Sequence, residues 1–186
     1  MLFNSYEFII LFLPISFAFY FCLNRLGWNL AARAWLVAAS LFFYSWWNII
    51  YLPLILGSIA FNYLLGSGLS RWRERPSGRP LLTTGIALNL ALLGYYKYAD
   101  FFISNLNLLL GAQYPLLRVV LPLGISFFTF TQIAYLVDAY RGQAREYSLV
   151  NYALFVTFFP HLLAGPILHH KEMMPQFEDP GRRGLN

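Results

Sequence analysis

The sequence predicts an all-α protein, a polytopic transmembrane helix bundle with about five to six spans plus one interfacial or re-entrant helix. Three observations predict it. The 186 residues are 59% hydrophobic and 19% aromatic but only 11% charged, against roughly a quarter charged in soluble domains, so a soluble globule would lack polar surface. The apolar residues are gathered into runs, several of them long enough to cross a bilayer. The basic residues Arg25, Arg33, Arg71, Arg73, Arg75, Arg79, Arg141 and Arg145 stand between those runs or at their edges. A net charge of +5 placed this way reads as membrane topology and not as affinity for nucleic acid.

The first run covers about residues 8–23, with Asn4 and Glu7 at capping-box spacing before it and Asn24 and Arg25 after it. A cleavable signal peptide would open with basic residues and end on small ones. Residues 1–7 hold no Lys or Arg, and Phe17 to Tyr20 is bulky, so this helix is expected to stay in the mature protein. The second run, about 34–47, closes on Phe42, Phe43, Tyr44, Trp46 and Trp47, rings suited to the headgroup layer. Asn48 is the expected turn into a third run, about 49–65, where Pro53 falls near the start and its missing donor does little harm.

Residues 70–80 carry the prolines, glycine and charges of a solvated loop, and a fourth run follows at about 81–96. Residues 101–111 are apolar but interrupted by Ser104, Asn105 and Asn107, and too few to cross as a straight helix; this is the segment read as interfacial or partly re-entrant. Residues 119–137 are long enough to span, with Pro122 and Gly124 loosening the first turn. Residues 138–146 are polar, 147–167 are apolar but broken by Pro160, Gly165 and Pro166, and 169–186 are polar. The basic loops share one side if 101–111 does not cross, which puts the N-terminus on the periplasmic side. Cys22, the only cysteine, excludes an internal disulfide and reads as a packed or lipid-facing side chain.

Gly-rich phosphate loops, paired cysteines and a Gly-x-Ser-x-Gly elbow are absent from the sequence. Candidate chemistry therefore rests on polar groups at membrane depth, which are disfavoured unless satisfied or facing a wet cavity. Asn62, Asn89, Ser126, Thr129, Gln132, Asp138 and His161 are the candidates. Asn62 and Asn89 read first as helix-to-helix hydrogen bonds. Ser126, Thr129 and Gln132 recur every third residue, along one helical face. Asp138 and Arg141, three apart, can pair at the membrane boundary. His161 follows Pro160 in an apolar stretch and reads as a hydrogen-bonded structural histidine before a proton carrier. His169 and His170 lack metal-site spacing, and no metal is expected.

Five strings, Leu41 to Trp47, Gly94 to Tyr98, Leu121 to Phe130, Tyr135 to Gly142 and Phe158 to Ile167, resemble the membrane-bound O-acyltransferase family, in particular its alginate O-acetylation branch. The resemblance implies a many-helix bundle that passes acetyl groups from an acyl thioester such as acetyl-CoA toward an exported polysaccharide, with no resident cofactor. It implies the bacterial inner membrane, with membrane lipid and periplasmic acetyltransferase or polysaccharide-modification proteins as partners. It also implies that residues 1–186 are the N-terminal part of the family domain. The catalytic histidine would then lie beyond Asn186, and the fragment would be inactive alone. No catalytic residue is assigned within the chain; Ser126, Thr129, Gln132, Asp138, Arg141 and His161 are cavity-lining or supporting candidates. The competing reading is a transporter or scaffold subunit whose polar face from Ser126 to Gln132 lines a path.

Overall fold

A computed structural model describes residues 3–72, 76–144, 148–162 and 173. Among them every regular element is helical: α1 (Glu7–Arg25), α2 (Asn29–Trp47), α3 (Ile49–Trp72), α4 (Gly78–Leu110), α5 (Ile125–Arg141), α6 (Leu149–Thr157) and α7 (Phe159–Leu162). Two of these, α1 and α3, are long and apolar enough to cross a membrane by length and composition. Helix α1 opens with π-helical turns over Glu7–Phe12. Its start is capped by Ser5, whose Oγ accepts from the Phe8 amide at 3.3 Å, and not by the Asn4 and Glu7 pair that the sequence pattern favours.

Helices α1 and α2 form an antiparallel hairpin turned at Gly27, which has a φ of +77°. Phe8 and Phe12 interlock with Phe43 and with Phe159 of α7, and Trp35 donates from Nε1 to the Ser16 carbonyl at 3.1 Å. Asn48 does turn the chain between α2 and α3, its Oδ1 accepting from the Ile50 amide at 3.0 Å. Helix α2 begins five residues before the expected run, and α3 continues through Arg71 to Trp72. Arginine flanks can remain helical because a charge at a membrane boundary does not disturb the backbone.

Two expectations are corrected. Residues 101–111 are not a separate element, since α4 is one helix of 33 residues from Gly78 to Leu110. Ser104, Asn105 and Asn107 reduce hydrophobicity without interrupting the backbone, and no proline or glycine intervenes until Gly111 takes a φ of +62° and ends the helix. Residues 119–137 are not one span either: helix begins only at Ile125, and 112–121 have no regular structure. Pro122 lacks a donor and Gly124 is left-handed at φ +63°, so the two terminate helix instead of merely loosening it. Helix α5 closes at Gly142, with the Gln143 amide bonded to the Asp138 carbonyl at 2.8 Å in the manner of a Schellman cap.

The expected bend in 147–167 is present where it is described. Helix α6 stops at Thr157, Phe158 leaves helical geometry at ψ 107°, and α7 resumes at Phe159; Ser40 of α2 caps this restart, its buried Oγ accepting from the Phe159 amide at 3.3 Å. From Asn151 to Thr157 every residue of α6 is buried, as befits a helix apolar nearly all round. It packs against α2, α3 and α5 and forms the centre of the bundle.

The helices alternate in direction. Tyr51 at the start of α3 meets Tyr96 of α4, with ring centroids 6.0 Å apart, while Lys97 donates to Ser126 at the start of α5 at 3.4 Å. At the other end, Gly68 of α3 approaches Leu81 of α4. Arg71, Arg79 and Arg141 therefore gather at one end of the bundle, and Lys97 at the opposite end.

Candidate functional site, a buried polar cluster around Gln132

Four helices each bring a polar side chain to one point. Asn62 of α3 and Asn89 of α4 face one another as a reciprocal amide pair. Nδ2 of Asn62 donates to Oδ1 of Asn89 at 3.1 Å, and Nδ2 of Asn89 donates to Oδ1 of Asn62 at 2.7 Å. Asn62 Nδ2 also reaches Gln132 Oε1 of α5 at 2.7 Å. Gln132 Nε2 donates to Ser58 Oγ at 3.0 Å, and the Tyr152 hydroxyl of α6 approaches Gln132 Oε1 at 3.4 Å. Asn62, Gln132 and Tyr152 have no exposed surface, and Asn89 has 3%.

Local spacing and small residues prepare this meeting. Ser58 and Asn62 are four apart and share a helix face, and Asn89 anchors back to its own helix through the Gly85 carbonyl at 2.8 Å. Gly66 and Gly85 let the helices approach, for a Cβ on Gly66 would sit 2.8 Å from Tyr135 Cζ and one on Gly85 would sit 3.0 Å from Leu136. A groove of about 360 Å³ between α3 and α4, lined by Pro53, Gly57, Leu88 and Leu92, reaches Ser58 and Asn89 from the side. Amides, a serine and a tyrosine hold no group that accepts a proton near neutral pH. The cluster can join helices and orient a hydrogen-bonding partner, but it cannot act as a general base.

The other expected site residues lie elsewhere. Ser126 is half-buried beside Lys97, so it leaves the face it was expected to share with Gln132: three-residue spacing drifts around a helix by about 60° per step. Thr129 is fully buried, and its hydroxyl has no hydrogen-bond partner among the described residues. Asp138 is 3% exposed whereas Arg141 is exposed, and among the described residues no ion pair joins them. His161 is 6% exposed, its ring set edge-on to Phe127 with centroids 4.7 Å apart. His169 and His170 lie outside the described residues. Among the described residues no group of three His, Cys, Asp or Glu side chains could hold a metal. Ser58 and Tyr152 are the members that sequence reasoning missed. Ser58 was findable by its spacing from Asn62; Tyr152 looked like any aromatic in an apolar run.

The segments around Gly124 and His161 also meet. A Cβ on Gly124 would stand 3.1 Å from the Leu162 carbonyl, so this glycine serves both its left-handed turn and the close passage of α7. The strings 121–130 and 158–162 thus form one contact, which spacing alone does not reveal. Residues 81–186 match the model of the membrane-bound O-acyltransferase family. The chain belongs to that family. Over its whole length this O-acyltransferase family chain is 44% identical to a peptidoglycan O-acetyltransferase of Helicobacter pylori, covering 40% of that protein. It is 39% identical over 96% of its length to a probable alginate O-acetylase of Pseudomonas putida, covering 37% of it, and 40% identical over 95% to one of Pseudomonas aeruginosa, covering 34%. The chain therefore spans well under half the length of these relatives. No solved structure matches it.

Proposed function

We propose that this chain forms the N-terminal part of a bacterial inner-membrane O-acyltransferase that passes acetyl groups from an acyl thioester, such as acetyl-CoA, toward an exported polysaccharide. One observation carries the reading: the chain aligns over 95–100% of its length with relatives named for O-acetylation of two different polysaccharides, alginate and peptidoglycan. Acetyl transfer is what those names share, so it transfers more safely than either acceptor.

In such a reaction a base removes the proton of a sugar or carrier hydroxyl, the oxygen attacks the thioester carbonyl, and the thiol leaves, in a cavity that limits hydrolysis. The Gln132 cluster has the chemistry of a scaffold for that cavity. The base is assigned to a histidine outside residues 1–186, and periplasmic modification proteins are the partners that would receive the acyl group. The basic ends carrying Arg71, Arg79 and Arg141 belong on the cytoplasmic side, with five to six crossings and a periplasmic N-terminus.

The test is genetic and chemical. Deleting the gene in its source bacterium should lower ester-linked acetate on an exported polysaccharide, and the restored gene should return it, while the purified 186-residue chain should show no acyl transfer above a denatured control. Unchanged acetate in both alginate-type polymer and peptidoglycan would overturn the reading in favour of a transporter or scaffold. Reporter fusions after Arg79 and near Asn48 check the orientation: periplasmic activity at the first and silence at the second would reverse it.

A further inference from the structure

Helix α4 is too long for a simple crossing. From Arg79 to Lys97 it rises about 27 Å at 1.5 Å per residue, close to the roughly 30 Å hydrocarbon core. Tyr95 and Tyr98 flank Lys97, both exposed, and the Lys97 ammonium stands 5.4 Å from the Tyr98 ring centroid. Aromatic side chains and a snorkelling lysine are what marks a membrane boundary. Beyond that boundary α4 nevertheless continues to Leu110, and six of the eight exposed side chains in 101–110 are apolar, Phe101, Phe102, Leu106, Leu108, Leu109 and Leu110, with Leu108 at 83% and Leu109 at 81%; the other two, Ser104 and Asn105, are uncharged. Residues 101–117 contain no charged side chain.

The chain then turns at Gly111 and runs back along the helix end. Asn107 holds both backbone groups of Tyr114, accepting from its amide at 2.9 Å and donating to its carbonyl at 2.9 Å. Asp100 accepts from the Leu117 amide at 2.7 Å, and Asn105 donates to the Phe101 carbonyl at 2.7 Å. Three backbone groups of the return segment, the amide and carbonyl of Tyr114 and the amide of Leu117, are thus closed by side chains of α4, which a region short of water favours.

We propose that the end of α4 and the return segment 112–121 form a wedge seated in the lipid headgroup layer, on the leaflet away from the basic ends. Lipid is favoured over a protein partner by two observations. At 100° per residue the six exposed apolar side chains spread over roughly 200° of the helix circumference, whereas a helix docked on one partner presents a narrower stripe. Across the Tyr95, Lys97 and Tyr98 belt the same helix again exposes apolar side chains, among them Leu88 and Leu90, the surface that membrane placement of α4 would turn to lipid. The inference rests on the membrane placement of α3 and α4, not on the acyl-transfer reading.

Depth measurement by spin labelling tests it. In a Cys22→Ala background, which removes the single native cysteine, labels are placed at Leu109→Cys, at Phe102→Cys, and at Leu64→Cys, an exposed position on α3. The 186-residue protein is then reconstituted in phosphatidylcholine vesicles. Expected are collision rates with oxygen exceeding those with a water-soluble nickel chelate at all three sites, with Leu64 the deepest. Nickel preference at Leu109 and Phe102 means the segment stands in water, and protection from both reagents means protein covers it; either overturns the wedge. Nickel preference at Leu64 as well would overturn the membrane placement along with it, so the two failures are separable.

Discussion

Replacing Asn62 by alanine removes the centre of the polar cluster, and its effect can be worked from the geometry. Three hydrogen bonds between helices disappear, two shared with Asn89 and one with Gln132. Interhelical hydrogen bonds in a bilayer average about 0.6 kcal/mol, so the direct loss is roughly 2 kcal/mol. The remaining partners fare unequally. Asn89 Nδ2 keeps the Gly85 carbonyl and Gln132 Oε1 keeps Ser58 and Tyr152 at 3.3 and 3.4 Å, but Asn89 Oδ1 is left without a donor while 3% exposed. An orphaned buried acceptor adds about 1 kcal/mol or more. The expected total is about 3 kcal/mol, measured by reversible unfolding in mixed micelles. The double change Asn62→Ala with Asn89→Ala should be less than additive by about 1 kcal/mol, because each single change already breaks the shared pair. A loss under about 0.5 kcal/mol for Asn62→Ala, or strict additivity, would refute the view that these amides hold α3 to α4.

Three further outcomes follow from the same packing. Gly66→Ala should destabilise by about 1–3 kcal/mol because the Tyr135 ring blocks the new methyl, whereas Gly57→Ala, with nothing within 4 Å of its Cβ, should be neutral or stabilising by up to about 1 kcal/mol; unfolding midpoints in micelles rank the two. Ser40→Ala should lower stability by about 1 kcal/mol by stripping the cap from the Phe159 amide, and no change would mean that amide finds another acceptor. In the whole acyltransferase, His161→Gln should keep substantial activity and His161→Ala less, since an amide still donates and accepts; equal losses of about 10²–10⁴-fold at unchanged membrane abundance would instead make His161 a general base.

The helical class was legible from charge depletion and apolar runs, and Asn62, Asn89 and Gln132 were legible because a polar side chain at depth must be satisfied somewhere. Their mutual contact was not, since it depends on which helices become neighbours. Helix boundaries were less legible, because hydropathy and helical backbone do not end at the same residues. Polar residues at 97, 100, 104, 105 and 107 lower hydropathy, yet only Gly111 stops the helix, so α4 was divided where the solvent changes and not where the backbone does. At α5 the reverse held. Apolar residues continue through 119–123, but Pro122 and Gly124 exclude regular helix there.

Gly124 shows why a motif can carry family identity without carrying chemistry. Its φ of +63° suits glycine far better than any residue with a Cβ, and the Leu162 carbonyl 3.1 Å from the place of a Cβ leaves little room for one. On either side, Phe127 packs on His161 and Pro122 is buried. The string 121–130 is therefore constrained by its backbone path beneath α7, and the polar residues within it follow from that path: Ser126 to Lys97, Thr129 into the core. Gln132 lies just past the string, two turns along α5, and reaches the amide cluster because the start of the helix is pinned at Gly124. Helix register at Gly124 thus sets which side chain meets Asn62, and a change that shifts α5 by one residue would move Gln132 about 100° away from it.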